Sequence, residues 1–526
     1  MSITQPKLLW EYVSYWAERK PDAEALVFED TRMSWAEFDA EVDKTAKAFL
    51  DAGVEKGDRI AMVSMGRIEF MTSFMAASKI GATWLGLSPK FTADELRYII
   101  GHCQPRLLLT LREYMGVDLV ETGETFLQEF PCITKVLVIG EAHAGTEPYG
   151  EFIDEPRPGL DAVLAERIAH VQDTDEVLLM YTSGSTGRPK GVLQSHRAII
   201  ENIRAELEYF GIGEDGRLLL HFPINHVAAD VEIGYGALMG GSTLVMTDRF
   251  DPQGSLELIE RERITMVGQV PVMFLMQMQA PKFKTMDWSH VKYFIWGGAG
   301  APALVLGVLR QIASATGAKL LTGYGSTELC GFVTFTSPDD TMEQMTRSVG
   351  RVVPPFEMKI VDDGRKEVPA GTLGELAFRG PNVMRGYLND PKTTRSVLDE
   401  EGWYYTSDLG HVDGDGYIYL AGRSSEMYKS GGENVFPREI EEVLENHPAV
   451  LFAAVVGVPD DLYQEVGHAF IMLKPGQEVD ADTLREHCKA HLANFKVPKK
   501  FTIRPELALL PNGKVNKVAL RASLNE

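Results

Sequence analysis

The chain has 526 residues, is 44% hydrophobic, and carries 75 acidic against 52 basic side chains, for a formal net charge of -23. This length and apolar share exclude a disordered chain and exceed what one small core needs, so two or more domains are expected. The acidic balance excludes an overall positive field for nucleic acid, while a local basic site for a polyanionic nucleotide remains open.

The segment Met1 to Trp16 includes Lys7 and Glu11 and lacks the basic-then-apolar order of a secretion signal. Short apolar runs such as Arg59 to Ser64 and Leu107 to Thr110 alternate with helical patterns such as Ala93 to Ile100, which predicts layered α/β structure. The four cysteines, Cys103, Cys132, Cys330 and Cys488, are scattered and contain no CxxC pair, so neither a disulfide framework nor a zinc knuckle is suggested.

Glu176 to Tyr181 reads as a buried strand, followed by a polar loop and then a helix with Ile199, Ile200, Ile203, Leu207 and Phe210 on one face. The loop includes Thr182, Ser183, Gly184, Ser185, Thr186, Gly187 and Lys190. Its glycines let backbone N–H groups converge, its hydroxyls can donate to phosphate oxygens, and its lysine balances charge, so it reads as a phosphate cradle. The spacing is not that of a Walker loop, because no GxxxxGK[ST] occurs here.

The apolar stretch Met266 to Met278 is interrupted by Gly268, Gln269, Pro271 and Gln277, and is shorter than the roughly 18 to 20 residues that span a bilayer. A chain without a transmembrane segment, located in the cytoplasm, is expected. Trp296 to Pro302, with Gly298, Ala299 and Gly300, is a Gly-rich turn, and Gly323-Tyr324-Gly325-Ser326-Thr327-Glu328 follows the apolar run Lys319 to Leu321. The strand Tyr417 to Leu420 ends near Gly422 to Glu426, before an amphipathic helix at Pro437 to Asn446. A domain boundary is placed there. Beyond it, strands at Ala453 to Val458 and His468 to Leu473 and a helix from Asp482 to Leu492 are enough for a small α+β domain. No internal repeat or low-complexity tract is evident.

TSGSTGRPKG at 182–191 resembles the signature loop of the adenylate-forming superfamily, which includes acyl-CoA synthetases, peptide-synthetase adenylation domains and firefly luciferase. The resemblance covers essentially the whole chain, with motifs in the family's order between residues 182 and 517, and points to the acid:CoA ligase branch. It implies a large multilayer α/β N-terminal domain, 1–423, a hinge at 424–426, and a small mobile α+β C-terminal domain, 427–526, that carries the catalytic lysine.

The resemblance also assigns roles. Gly298, Ala299 and Gly300 would border adenine and the acyl pocket, whereas the residues alone equally fit a plain strand-to-helix turn. Tyr324 would stack on adenine, with Gly325 and Ser326 beside it, Thr327 would touch the α-phosphate, and Glu328 would hold Mg²⁺. Asp408, in Thr406-Ser407-Asp408, and Arg423 would reach the ribose, and Lys429 would contact the adenylate. Ser430, Gly431, Gly432 and Glu433 would border the CoA channel, and Lys514 would bridge the carboxylate and the phosphate. The hinge position, usually Asp or Lys, is Ser425 here.

His226 matches the family's acyl-pocket histidine and Gly323 would line the same pocket, but Ile224-Asn225 replaces the usual Leu-aromatic pair. Ala228 stands where amino-acid-activating members place an aspartate, which argues against an α-amino acid. Asp230 and Glu232 are expected to face solvent, with a hydrogen bond to a polar acid as the alternative.

The implied reaction joins a carboxylic acid to coenzyme A with ATP through an acyl-adenylate, releasing AMP and pyrophosphate, with Mg²⁺ assisting and no tightly bound prosthetic group. A place in fatty acid metabolism and a homodimer are further expectations. A stand-alone adenylation enzyme that loads a carrier protein, a luciferase-like oxygenase and a nucleotide sensor are the alternatives.

Overall fold

The computed structural model describes residues 5–143, 145–182, 188–508 and 515–524. Two large sheets build the N-terminal part. The first runs in spatial order Arg351–Val352, Gly331–Phe335, Lys319–Ser326, Tyr293–Trp296, Met266–Gln269, Arg217–Leu220, Thr243–Met246, Glu24–Phe28 and Thr31–Ser34. Its interior pairs, from Lys319–Ser326 across to Glu24–Phe28, are parallel, and only its outer strands turn antiparallel. The second sheet has Arg59–Val63, Thr83–Leu87, Leu107–Leu111 and Glu176–Thr182 in parallel at its centre. Their apolar runs suit strands buried on both faces.

One core joins these sheets. Trp84, Ile60 and Met62 from the second pack with Leu218, Leu220 and Leu26 from the first, through the helices Ile68–Lys79 and His196–Phe210. The latter helix begins where Ser195 accepts from the Ala198 N–H, and ends at Gly211, whose φ of 70° suits a residue without a Cβ. A four-stranded antiparallel sheet, Glu357–Val361, Gly374–Arg379, Tyr404–Val412 and Ile418–Arg423, abuts the first sheet through Tyr324, Val333, Phe378 and Ile418.

The smaller C-terminal domain is built mostly of strands. Val450–Asp460 and Gln464–Leu473 form a long antiparallel pair, extended by Tyr428–Ser430, Glu433–Val435 and the parallel strand Lys500–Ile503. The helices Pro437–Glu445 and Ala481–His491 cover it with Ile440, Leu444, Leu484 and Cys488. The helices expected at Pro437 and Asp482 are present within a residue or so of their expected ends.

One local expectation is corrected. The polar loop after Glu176–Thr182 does not lead directly into a helix but returns as the antiparallel strand Lys190–Ser195, in register Thr182 to Lys190, and the helix follows. Gly191 allows that return, because a Cβ there would stand 2.9 Å from Leu179 and 3.2 Å from Tyr181.

Candidate active site

A cavity of about 1640 Å³ lies where the C-terminal ends of the first sheet's parallel strands meet the C-terminal domain. Ligand clefts in open α/β sheets occur at such strand ends. Thr182, Lys190, His226, Gly298, Ala299, Gly300, Gly323 through Glu328, Asp408, Arg423 and Ser425 all contribute to its lining. Ser183, Gly184, Ser185, Thr186, Gly187 and Lys514 lie outside the described residues; Thr182 and Val515, which flank those two segments, line the cavity.

The strand Lys319–Ser326 presents the second motif. Its glycines are required by close approach: a Cβ on Gly323 would stand 2.0 Å from the Thr334 carbonyl oxygen, and one on Gly325 would stand 2.0 Å from that of Gly331. Side chains there would break the antiparallel pairing with Gly331–Phe335 that holds the motif in place. Just beyond, Ser326 accepts from the Leu329 N–H and Gln194 Nε2 donates to the Thr327 carbonyl at 2.7 Å. The turn is therefore fixed to the hairpin that carries Lys190.

Glu328 is oriented from two sides. The Met384 N–H donates to its carbonyl at 2.9 Å, and the Tyr387 hydroxyl donates to its Oε1 at 3.0 Å. Lys190 Nζ lies 5.2 Å from the centroid of the same Tyr387 ring. Burial and then the Glu328 charge push the Tyr387 phenol well up, so it stays a donor. Tyr387 thus links the lysine of the first motif to the carboxylate of the second, a role that nothing in its short Gly386-Tyr387 strand signals.

A second node joins Tyr324, Asp408 and Arg423. Tyr324 donates to Asp408 Oδ2 at 2.5 Å and Arg423 Nε donates to Oδ1 at 3.1 Å. Asp408 is buried, while Arg423 is exposed at the cavity mouth. The Asp408 charge holds the Arg423 guanidinium above its ordinary value, and burial followed by Asp408 pushes the Tyr324 phenol up. One face of Tyr324 stacks on Phe378, with centroids 5.5 Å apart.

The C-terminal domain closes one side with Arg438, Glu441, Phe452 and Lys517. Lys517 Nζ lies 2.6 Å from Glu426 and 2.9 Å from Glu441, tying the segment after residue 514 to the residue next to Ser425. A Cβ on Gly300 would stand 2.7 Å from Arg438, so a larger residue in that loop would push against the C-terminal domain. Lys429, Ser430, Gly431, Gly432 and Glu433 are not brought into the lining. The Lys429 N–H donates to Glu465 and the Gly431 N–H to the Tyr463 carbonyl, so this turn is held against its own sheet.

The expectation that Asp230 and Glu232 face solvent is overturned. They lie on Ala228–Tyr235, a helix wound more widely than an α-helix, which changes the face each position takes. Asp230 is fully buried, neither of its carboxyl oxygens has a hydrogen-bond partner among the described residues, and burial pushes its pKa well up. Glu232 lines the cavity, as does His226, whose Nδ1 accepts from the Ala228 N–H at 3.2 Å.

Known proteins resemble this chain along nearly its whole length. Residues 13–388 match the family model for AMP-binding enzymes, and 439–514 match that for the AMP-binding enzyme C-terminal domain. A putative acyl-CoA synthetase, YngI, of Bacillus subtilis (strain 168) is 32% identical over 96% of this chain and 95% of its own. The 3-[(3aS,4S,7aS)-7a-methyl-1,5-dioxo-octahydro-1H-inden-4-yl]propanoyl:CoA ligase of Mycobacterium tuberculosis (strain ATCC 25618 / H37Rv) is 34% identical over 95% of this chain and 96% of its own. The crystal structure of the anthranilate CoA ligase AuaEII in complex with anthranoyl-AMP superposes with a TM-score of 0.88 at 26% identity, covering 98% of this chain and 97% of that one. Family matches across both domains and full-length likeness to CoA ligases lead to one assignment: the chain belongs to the adenylate-forming superfamily, in its acyl-CoA synthetase branch, and is an AMP-forming acid–thiol ligase.

Proposed function

We propose that this one cavity carries out both half-reactions, with the residues in the following roles. A carboxylate is a poor electrophile, so AMP is first attached to supply a leaving group. The acid's carboxylate oxygen attacks the α-phosphorus of ATP and displaces pyrophosphate, giving the acyl-adenylate. The thiol sulfur of coenzyme A then attacks the acyl carbon, AMP leaves, and one proton is released.

In the first step Asp408 accepts from the ribose hydroxyls while Arg423 and Tyr324 hold its carboxylate in place. Thr182, Thr327, Lys190 and the 183–187 loop contact the phosphates, and Lys514 bridges the reacting oxygens as a compact positive charge. Glu328 is the group suited to Mg²⁺. Among the described residues no cluster of three or more acidic, His or Cys side chains forms a protein cage, and a single oriented carboxylate fits an ion completed by phosphate oxygens and water. Bound there, Mg²⁺ would offset the charge on the phosphates.

The reading rests on two side-chain networks that line one cavity, Lys190 with Tyr387 and Glu328, and Tyr324 with Asp408 and Arg423. The position of the Gly431–Gly432 turn outside that cavity supports a rotation about 424–426, centred on Ser425, that withdraws Lys514 and brings residues 429–433 to the acyl-adenylate for thiol attack. A cytoplasmic location agrees with the unpaired state of all four cysteines. Coenzyme A is preferred to a carrier protein as acceptor, and the acid is a small molecule. Acid-dependent isotope exchange between pyrophosphate and ATP without coenzyme A tests the first half-reaction: exchange supports the reading, and its absence with every acid tried refutes it.

A further inference from the structure

Within the apolar part of the cavity, lined by Ile203, Phe210, Phe222, Ile233 and Phe332, two carboxyl groups stand close together. Glu206 and Asn202, four residues apart on His196–Phe210, share a helix face, and Glu232 approaches from Ala228–Tyr235. Their convergence is measured at Gly331: a Cβ there would stand 2.6 Å from Asn202 Oδ1, 3.1 Å from Glu206 Oε1 and 3.3 Å from Glu232 Cγ. Glu206 is only 4% exposed, and its Oε1 accepts from the Phe332 N–H at 3.3 Å. The Asn202 amide nitrogen donates to the Phe332 carbonyl at 2.8 Å, which turns its oxygen toward the two glutamates. That oxygen is buried and has no hydrogen-bond partner among the described residues.

Placing carboxyl groups in an apolar wall is costly unless they are hydrogen-bonded. Burial, and then the neighbouring Glu232, push the Glu206 pKa well up, and a carboxyl group keeps an acceptor oxygen in either protonation state. A purely hydrocarbon acid entering here would strip water from those carboxyl oxygens and return nothing. An acid with an O–H or N–H at this point would replace the lost water.

We propose that Glu206 and Glu232, backed by Asn202, form a recognition point that selects carboxylic acids bearing a hydroxyl or N–H donor in addition to the reacting carboxylate. The proposal rests on the ligase reading of the cavity and adds the substrate class. Sites built to hydrogen-bond a substrate group discriminate strongly against analogues that lack it.

The test pairs octanoic acid with its monohydroxylated isomers, and phenylpropanoic acid with its hydroxyphenyl counterparts, comparing kcat/KM for pyrophosphate release. At least one hydroxylated acid in each series should exceed its parent by about tenfold or more. Glu232→Leu should remove or invert that ratio, and Glu206→Gln, which keeps an acceptor for the Phe332 N–H, should reduce it. If Glu232→Leu fails to fold by thermal melting, the ratio in Glu232→Gln decides. Parents used as well as every hydroxylated partner, or a ratio untouched by the substitutions, overturns the proposal while leaving the ligase reading intact. No adenylate from any acid removes both.

Discussion

The Tyr324 hydroxyl donates to Asp408 Oδ2 at 2.5 Å, joining the adenylate-forming motif on the large parallel sheet to an antiparallel strand of the neighbouring four-stranded sheet. With Arg423 on the other oxygen, Asp408 is held as an oriented acceptor at the cavity wall. Asp408→Asn presents an amide to two donors and should raise KM for ATP about ten- to a hundredfold, in keeping with hydrogen bonds to a charged group. Tyr324→Phe removes one donor and should have the smaller effect. Steady-state pyrophosphate release against ATP concentration checks both, and an unchanged KM in Asp408→Asn would remove Asp408 from nucleotide binding.

The Tyr387 hydroxyl orients Glu328. Glu328→Gln should lower the rate of adenylate formation by about a hundredfold or more and raise the Mg²⁺ concentration needed for half-maximal rate, because the charge that attracts the ion is gone. Tyr387→Phe keeps the charge and loses only its orientation, so a loss of about tenfold or less is expected. Single-turnover adenylate formation across a Mg²⁺ titration distinguishes the two.

Lys514→Ala should abolish adenylate formation while thiol transfer from a supplied acyl-adenylate continues. The division follows from a lysine present in the cavity for one half-reaction and withdrawn for the other. Equal loss of both half-reactions would count against rotation of the C-terminal domain.

His196 opens the helix that carries Glu206, is fully buried, and accepts the Leu9 N–H on Nδ1 at 3.2 Å. Burial lowers its pKa from 6.5 to about 3, against a smaller opposing pull from Asp175 and Asp173. The unfolded chain takes up a proton near 6.5 and the folded chain only near 3, so this site's contribution is complete above 6.5 and falls as pH drops through that window. About 1.5 pH units below the ordinary histidine value, the loss is about 2 kcal/mol. Denaturant unfolding at about pH 7 and about pH 5 should show a correspondingly shallower pH dependence in His196→Gln, which retains an acceptor for Leu9.

Elements set by local pattern were legible in the sequence. The apolar runs at Arg59 and Leu107 and the helical face of Ile199, Ile203 and Phe210 lie in the strands and helix expected of them, because one periodicity fixes each. Features set by long-range pairing were not. The return strand Lys190–Ser195 depends on Gly191 fitting against Leu179 and Leu388, which no local signal announces. Asp230 and Glu232 read as a polar helix surface only if the winding is regular, and the wide helix there removes that premise. Tyr387 owes its place to strand pairing with Val192, so its contact with Glu328 is a tertiary fact without a motif.

Acid:CoA ligation is read out by incubating the purified protein with ATP, Mg²⁺, coenzyme A and a panel of short, medium-chain, aromatic and hydroxylated acids, then identifying products by mass spectrometry. An acid–thiol ligase gives an acyl-CoA thioester from at least one acid, with stoichiometric AMP and pyrophosphate. Adenylate formed without any coenzyme A thioester from any acid would contradict that activity.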